Sequence, residues 1–181
     1  CVQLQAEDES IRLKAVKLLG RLFASQYANY GTDFSRNFRE FLGRFVDVSS
    51  QVRLEMVDCG SLIMKRKPLL REATVEHLTN RLKDPESEVR QNTLQHLLDI
   101  AVEDPTRLSA EAVQEMGGRV KDRKVEIRKV AMIGMSKMFN RHITAVLPEL
   151  NELKDWRKRL QEPGVVGSGL LERLRCVPGL I

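Results

Sequence analysis

Arg44-Phe45-Val46-Asp47 then Val52-Arg53, Arg81-Leu82-Lys83-Asp84 then Val89-Arg90, and Arg119-Val120-Lys121-Asp122 then Ile127-Arg128 are one pattern written three times. Each copy reads Arg-apolar-x-Asp, a gap of four residues, and a β-branched residue followed by Arg. A truncated fourth copy lies at Asp8-Glu9-Ser10-Ile11-Arg12. The closing arginines Arg12, Arg53, Arg90 and Arg128 are 41, 37 and 38 residues apart. Internal spacing this constant means a unit of about 40 residues, repeated along the chain.

A period near 40 with two helices per unit points to HEAT or armadillo arrays. The expected fold is all-α: a HEAT-repeat α-α superhelix, a right-handed solenoid of helical hairpins. The motif itself spans a helix end, a tight turn and a helix start. Asp84-Pro85-Glu86-Ser87 shows this best, because Asp-Pro favours a turn and Pro suits the first turn of a helix. Asp47, Asp84 and Asp122 can accept backbone N–H bonds where the second helix begins. The arginine that closes each motif can reach an Asp in its own or the adjacent repeat. Asp47, Arg53, Asp84, Arg90, Asp122 and Arg128 are therefore read as a structural ladder, since a catalytic site is not normally copied once per repeat.

First helices are expected at about 34–46, 70–83 and 109–121, and second helices at about 10–24, 50–66, 87–103 and 125–140. Ile11, Ala15, Leu18, Leu19, Leu22 and Phe23 form a helical stripe; Val52, Met56, Cys59 and Ile63 repeat it, as do Ile127, Ala131, Met135 and Met138. Most of the methionines fall on or beside these stripes and read as core. Gly117-Gly118 suggests a close helix approach or a bend. The pattern loosens after Arg141, so residues 1–143 are assigned to about three and a half HEAT units and 144–181 to further helices continuing the solenoid. In that tail a helix is expected at 144–161, a break at 162–169 and a short helix at 170–176. The opening at Cys1 and the apolar ending at Ile181 are expected of a segment of a longer chain.

Among 181 residues, 42% hydrophobic and 30% charged is the balance of a folded domain, while 5% aromatic and six prolines suit helices better than strands. Three cysteines without CxxC spacing and three scattered histidines argue against a disulfide framework or a zinc site, and fit a reducing compartment. Cys59 reads as a buried thiol. The sequence contains no twenty-residue apolar span, so no membrane association is expected. It contains no GxSxG, HExxH, Walker or Rossmann pattern either, and the chain is expected not to be an enzyme.

A net charge of +5 leaves basic groups to place. Lys14, Lys17 and Arg21 form a stripe on the opening helix, Lys65-Arg66-Lys67 closes another, and Arg123, Lys124 and Lys129 crowd a third position beside Arg119, Lys121 and Arg128. Solvated helix faces account for such groups singly. If the second helices line one surface, Lys14, Lys17, Arg21, Lys65, Arg66, Arg123, Lys124 and Lys129 become candidates for partner or polyanion binding.

Ile11-Arg12-Leu13-Lys14-Ala15-Val16-Lys17-Leu18-Leu19-Gly20-Arg21-Leu22-Phe23 resembles the signature helix of the cohesin regulators named for precocious dissociation of sisters. Phe41-Leu42-Gly43-Arg44-Phe45-Val46-Asp47, with Val52-Arg53-Leu54-Glu55, is similar to that family's next segment. Arg119 to Lys129 with Val130-Ala131-Met132-Ile133-Gly134-Met135 is similar to its next-but-one repeat. The resemblance spans residues 7 to about 140. It implies a nuclear, chromatin-associated scaffold in sister chromatid cohesion that binds the kleisin subunit of cohesin and controls cohesin maintenance and release. It also implies work with Wapl and the cohesin acetyltransferase through other parts of the chain. No cofactor is expected, though in some members of the family an inositol polyphosphate is bound. The alternative reading is a HEAT segment that binds nucleic acid through its basic helix faces.

Overall fold

The computed structural model describes residues 2–151, and the side chains up to Thr144. Every element among the described residues is helical. A 3-10 turn, Val2–Gln5, leads into α1 (Glu9–Phe23). A short α2 (Tyr30–Asp33) precedes α3 (Ser35–Leu42), α4 (Ser50–Arg66), α5 (Arg71–Arg81), α6 (Ser87–Glu103), α7 (Ala110–Gly118) and α8 (Val125–Asn151). The first helices are α3, α5 and α7; the second helices are α1, α4, α6 and α8. The chain divides into two compact units, Cys1–His96 and Leu97–Ile181, whose boundary falls within α6.

Local chemistry sets the helix ends. The Asp8 carboxylate accepts from the Ser10 N–H, the Ser49 hydroxyl from Val52 N–H and the Ser109 hydroxyl from Ala112 N–H, each satisfying an orphan donor of a first turn. The last turns of α3 and α7 tighten into 3-10 geometry over Gly43–Val46 and Arg119–Lys121. The same closing bond then recurs in all three motifs. The N–H of Asp47, Asp84 and Asp122 donates to the carbonyl of Arg44, Arg81 and Arg119, at 3.1, 3.1 and 3.0 Å. Gly117-Gly118 sits where α7 gives way to this 3-10 turn.

In the first unit, Phe23 packs edge-on against Phe38 and Phe41, with ring centroids 5.1 and 5.2 Å apart. Val52, Met56, Cys59 and Ile63 line α4 toward this core. In the second unit Leu98, Ile100, Leu108, Val113, Met116, Ile127, Ala131, Met135 and Met138 are buried. Met132 departs from the expectation for methionines, since its side chain is more than half exposed.

Two expectations need correction. In α1 the buried positions are Arg12, Val16, Gly20 and Phe23, whereas Ile11, Leu18 and Leu22 are exposed. Ile11 and Leu22 hold the repeat positions of Val52 and Ile63, which are fully buried. Among the described residues α1 is preceded by the 3-10 turn Val2–Gln5. The second correction concerns α8. It continues through the expected end near 140, and through the boundary placed at 143/144, as far as Asn151. The run Phe139 to Thr144 holds no Gly or Pro to stop it, and the His142 ring nitrogen lies 3.0 Å from the Val102 carbonyl, tying α8 to the end of α6 there. The expected break at 162–169 and helix at 170–176 lie outside the described residues, as do Cys1 and Cys176.

Candidate functional site

The ladder residues converge on the turn between first and second helices. Arg12 is held flat by four bonds. Its Nε and Nη2 donate to the two oxygens of Asp47 at 2.9 and 3.0 Å, and its Nη1 donates to the carbonyls of Ala6 and Glu7. Arg53 repeats the arrangement one unit on: Nε and Nη2 donate to Asp84 at 2.8 and 2.9 Å, and Nη1 to the carbonyls of Asp47 and Val48. A planar fork against a carboxylate is the geometry that guanidinium suits and ammonium does not. Arg90 Nη1 donates to the carbonyls of Asp84 and Pro85, and Arg128 Nη1 to those of Asp122 and Arg123. Each closing arginine therefore clamps its own turn, and Arg12 and Arg53 also reach the carboxylate of the following unit.

Asp47 and Asp84 are each fed from three directions. Asp47, Asp84 and Asp122 accept from the N–H two residues on, in Ser49, Glu86 and Lys124, at 2.9 to 3.0 Å. The arginine three residues back, Arg44, Arg81 or Arg119, adds an ion pair at 3.1, 2.8 and 3.6 Å respectively. Burial pushes the Asp47 and Asp84 carboxyls up, yet the guanidinium bonds from Arg12 and Arg53 and the backbone N–H outweigh it and hold both below the usual carboxylate value. In the truncated fourth copy the ladder position, six residues before Arg12, is Ala6 and not Asp8; Asp8 serves as the α1 cap. This bonded set, copied once per repeat, ties each closing arginine to its own turn and Arg12 and Arg53 also to the following unit.

The second helices carry a different row of polar groups. Lys17 on α1 pairs with Glu55 on α4 at 3.5 Å. Asp58 on α4 accepts from Asn92 Nδ2 at 2.9 Å and faces His96 Nε2 at 2.8 Å, both on α6. The His96 hydrogen bond lowers the Asp58 carboxyl below its ordinary value despite partial burial, and Asn92 helps. Sequence reasoning missed Glu55, Asp58, Asn92 and His96. A signal was available in the repeat register: Lys17 and Asp58 each stand five residues after the closing arginine, and Glu55 and Asn92 each stand two after it. The residue five after one closing arginine meets the residue two after the next.

That row changes the reading of the basic candidates. Lys17 is half committed to Glu55, and Asp58 adds negative charge beside it, so this face of the first unit is mixed in sign. Lys14 and Arg21 are exposed and make no ion pair with described residues. Lys65 is half-buried and Arg66 exposed at the end of α4, again without an ion pair among the described residues. In the second unit Arg123, Lys124 and Lys129 are exposed around the start of α8, while Arg119 and Arg128 are engaged in the turn. The structure thus separates the cations into bonded ladder members and three outward groups. Cys59, in the α4 stripe, is buried against α1, and burial pushes its thiol up to about 12. No helix among the described residues is long and apolar enough to cross a membrane.

Comparison with known proteins bears on the same stretch. The family model described as "Sister chromatid cohesion protein PDS5 protein" matches residues 2–162. PDS5 homolog A of Mus musculus and of Homo sapiens are each 29% identical over 140 residues, covering 77% of this chain and 10% of their own length. PDS5 homolog B-B of Xenopus laevis is 26% identical over the same length. The chain therefore spans about a tenth of the curated relatives it matches. In fold it is similar to a chain in the solved structure of the Pds5-Scc1 complex, with a TM-score of 0.73 at 18% identity, covering 79% of this chain and 22% of that one. An engineered protein matches with a TM-score of 0.56 at 16% identity. With the helical-hairpin repeat, its arginine register and a family match over nearly all of its length, the chain belongs to the family of the sister chromatid cohesion protein PDS5.

Proposed function

We propose that this segment is part of a non-catalytic HEAT scaffold that regulates sister chromatid cohesion by docking the kleisin subunit of cohesin. The observation that carries the reading is the family match over residues 2–162. The likeness in fold to a chain of the Pds5-Scc1 complex agrees with it. On this reading the protein works in the nucleus on chromosomes and takes part in cohesin maintenance and release, with Wapl and the acetyltransferase engaging other parts of the chain. The exposed cations Lys14, Arg21, Arg123, Lys124 and Lys129 are the groups offered to an acidic kleisin segment or an inositol polyphosphate, because the ladder arginines are already bonded.

Direct nucleic-acid binding is the weaker reading, for a physical reason. A duplex or single strand needs a run of one sign, and Glu55 and Asp58 interrupt the cations of α1 and α4. The discriminating experiment is capture of the kleisin N-terminal region by this chain, with Lys14→Glu/Arg21→Glu and Lys124→Glu/Lys129→Glu variants alongside. Kleisin docking predicts capture by the parent chain, loss in at least one variant, and a remainder that survives higher salt because apolar anchors persist. Absence of capture by the parent chain, or binding that vanishes with salt and is competed by DNA, would overturn it.

A further inference from the structure

At the edge of the first unit opposite its Asp–Arg turns, the segments between α1 and α3 and between α4 and α5 meet. Gly31 lies against Leu70 so closely that a Cβ there would collide with the leucine side chain. Beside this contact opens a pocket of about 150 Å³, walled largely by Pro68, Leu69 and Leu70 and flanked by Arg66 and Lys67. An apolar cavity of that order, about 150 Å³, admits a single benzene ring.

Two further observations point to what enters. The same segments expose large apolar side chains: Tyr27 almost completely, Leu69 by about three quarters and Phe34 by more than half, with Tyr30 beside Phe34 at a ring-centroid distance of 6.3 Å. The charge here is also unbalanced. Lys67 is buried to 8% exposure, and its Nζ donates to two uncharged acceptors, the Ala28 carbonyl at 2.6 Å and the Asn29 side-chain oxygen at 3.2 Å. Arg71 donates its Nε to the Met64 carbonyl. Lys65, Arg66, Lys67 and Arg71 make no ion pair with any described residue, whereas the arginines of the opposite edge are held by aspartates. A buried ammonium beside neutral oxygens and an open apolar pocket is a site short of an anion.

We propose that this cleft binds an acidic linear peptide, which inserts one large apolar side chain into the pocket beside the Gly31–Leu70 contact and sets its carboxylates on Lys65, Arg66 and Lys67. Exposed aromatic and Arg side chains beside a pocket are the composition of a protein-interaction hot spot. A small polyphosphate would satisfy the cations but leave the pocket and its apolar rim uncovered. The proposal is independent of kleisin docking, whose test alters other residues.

The test uses the full 181-residue chain and a displayed library of short Asp/Glu-rich peptides with one central Phe, Trp, Tyr or Leu, followed by fluorescence polarisation of selected members. The expected result is binding that weakens at least about tenfold in Arg66→Glu and in Leu69→Asp, or when the central side chain is cut to Ala, and that is unchanged in Lys137→Glu, at an exposed lysine of α8. Both substituted residues are exposed, and circular dichroism confirms that the helices are intact. No captured peptide, equal affinity in the Leu69→Asp variant, indifference to the central side chain, or stronger binding of a single-stranded oligonucleotide would each overturn the proposal.

Discussion

A closing arginine such as Arg53 does two jobs with one planar group. Its Nη1 clamps the turn of its own repeat and its Nε–Nη2 fork holds the carboxylate of the next. This gives the chain a defined acid response. Asp47 and Asp84 have folded-state values below the ordinary 3.8, so the unfolded chain binds protons first as pH falls. Their contribution to stability is fully present above about pH 4 and is lost as pH falls through the depressed folded values. Urea midpoints measured between about pH 6 and pH 2.5 should fall steeply at the acid end. Asp84→Asn should be less stable near neutrality but show a shallower acid limb, so that the two curves converge. Parallel curves would mean that these carboxylates do not govern the acid limb. The aspartates and arginines could be picked out from the motif alone. Their partners could not, because an arginine able to reach either its own or the neighbouring turn looks the same in sequence.

Between elements, close approach decides the packing of second helices. A Cβ on Gly20 would run into the Cys59 sulfur and come within 2.7 Å of its Cβ, so α1 and α4 touch almost backbone to side-chain root at that point. Gly134 stands similarly against Leu98, whose Cδ2 would be 2.7 Å away. Gly118, by contrast, has nothing within 4 Å of the added atom and an ordinary helical φ of −58°. Gly20→Leu should therefore lower stability by about 1–3 kcal/mol through overpacking. Gly118→Ala should raise it by about 0.4–1 kcal/mol, by restricting the unfolded chain at no steric cost. Chemical denaturation of both variants checks the pair, and a Gly20→Leu protein as stable as the parent would refute the packing account. Apart from the far end of α8, which runs past its expected stop near 140 to Asn151, the helices named in advance were legible to within a few residues, since capping serines, the Asp-Pro turn and apolar spacing act locally. The exposed side of α1 was not. Its sequence stripe matches that of α4, yet Ile11 and Leu22 are exposed where Val52 and Ile63 are buried.

For the molecule as a whole, a buried thiol offers a readout of opening. Cys59 lies in the first unit between α1 and α4, with its ionisation pushed up to about 12, so it reacts only when the core around it opens. In a Cys1→Ser/Cys176→Ser protein, labelling by a disulfide reagent near pH 8 should be at least about a thousandfold slower than for a free thiol, and should accelerate in urea before the global transition. Labelling at the free-thiol rate would show that the core is loose. The repeat period, helix order, turn chemistry and family resemblance all follow from residue types at fixed spacing, which local forces and the need to bury one stripe per helix translate directly into hairpins. The sequence by itself therefore determined the fold class and the aspartates and closing arginines of the ladder. Tertiary structure alone decided which carboxylate each arginine holds, that Lys17 spends its charge on Glu55, and that Lys65, Arg66 and Lys67 collect beside a pocket. These depend on which side chains meet when units some forty residues apart in sequence are brought together, and a one-dimensional pattern carries no record of that contact.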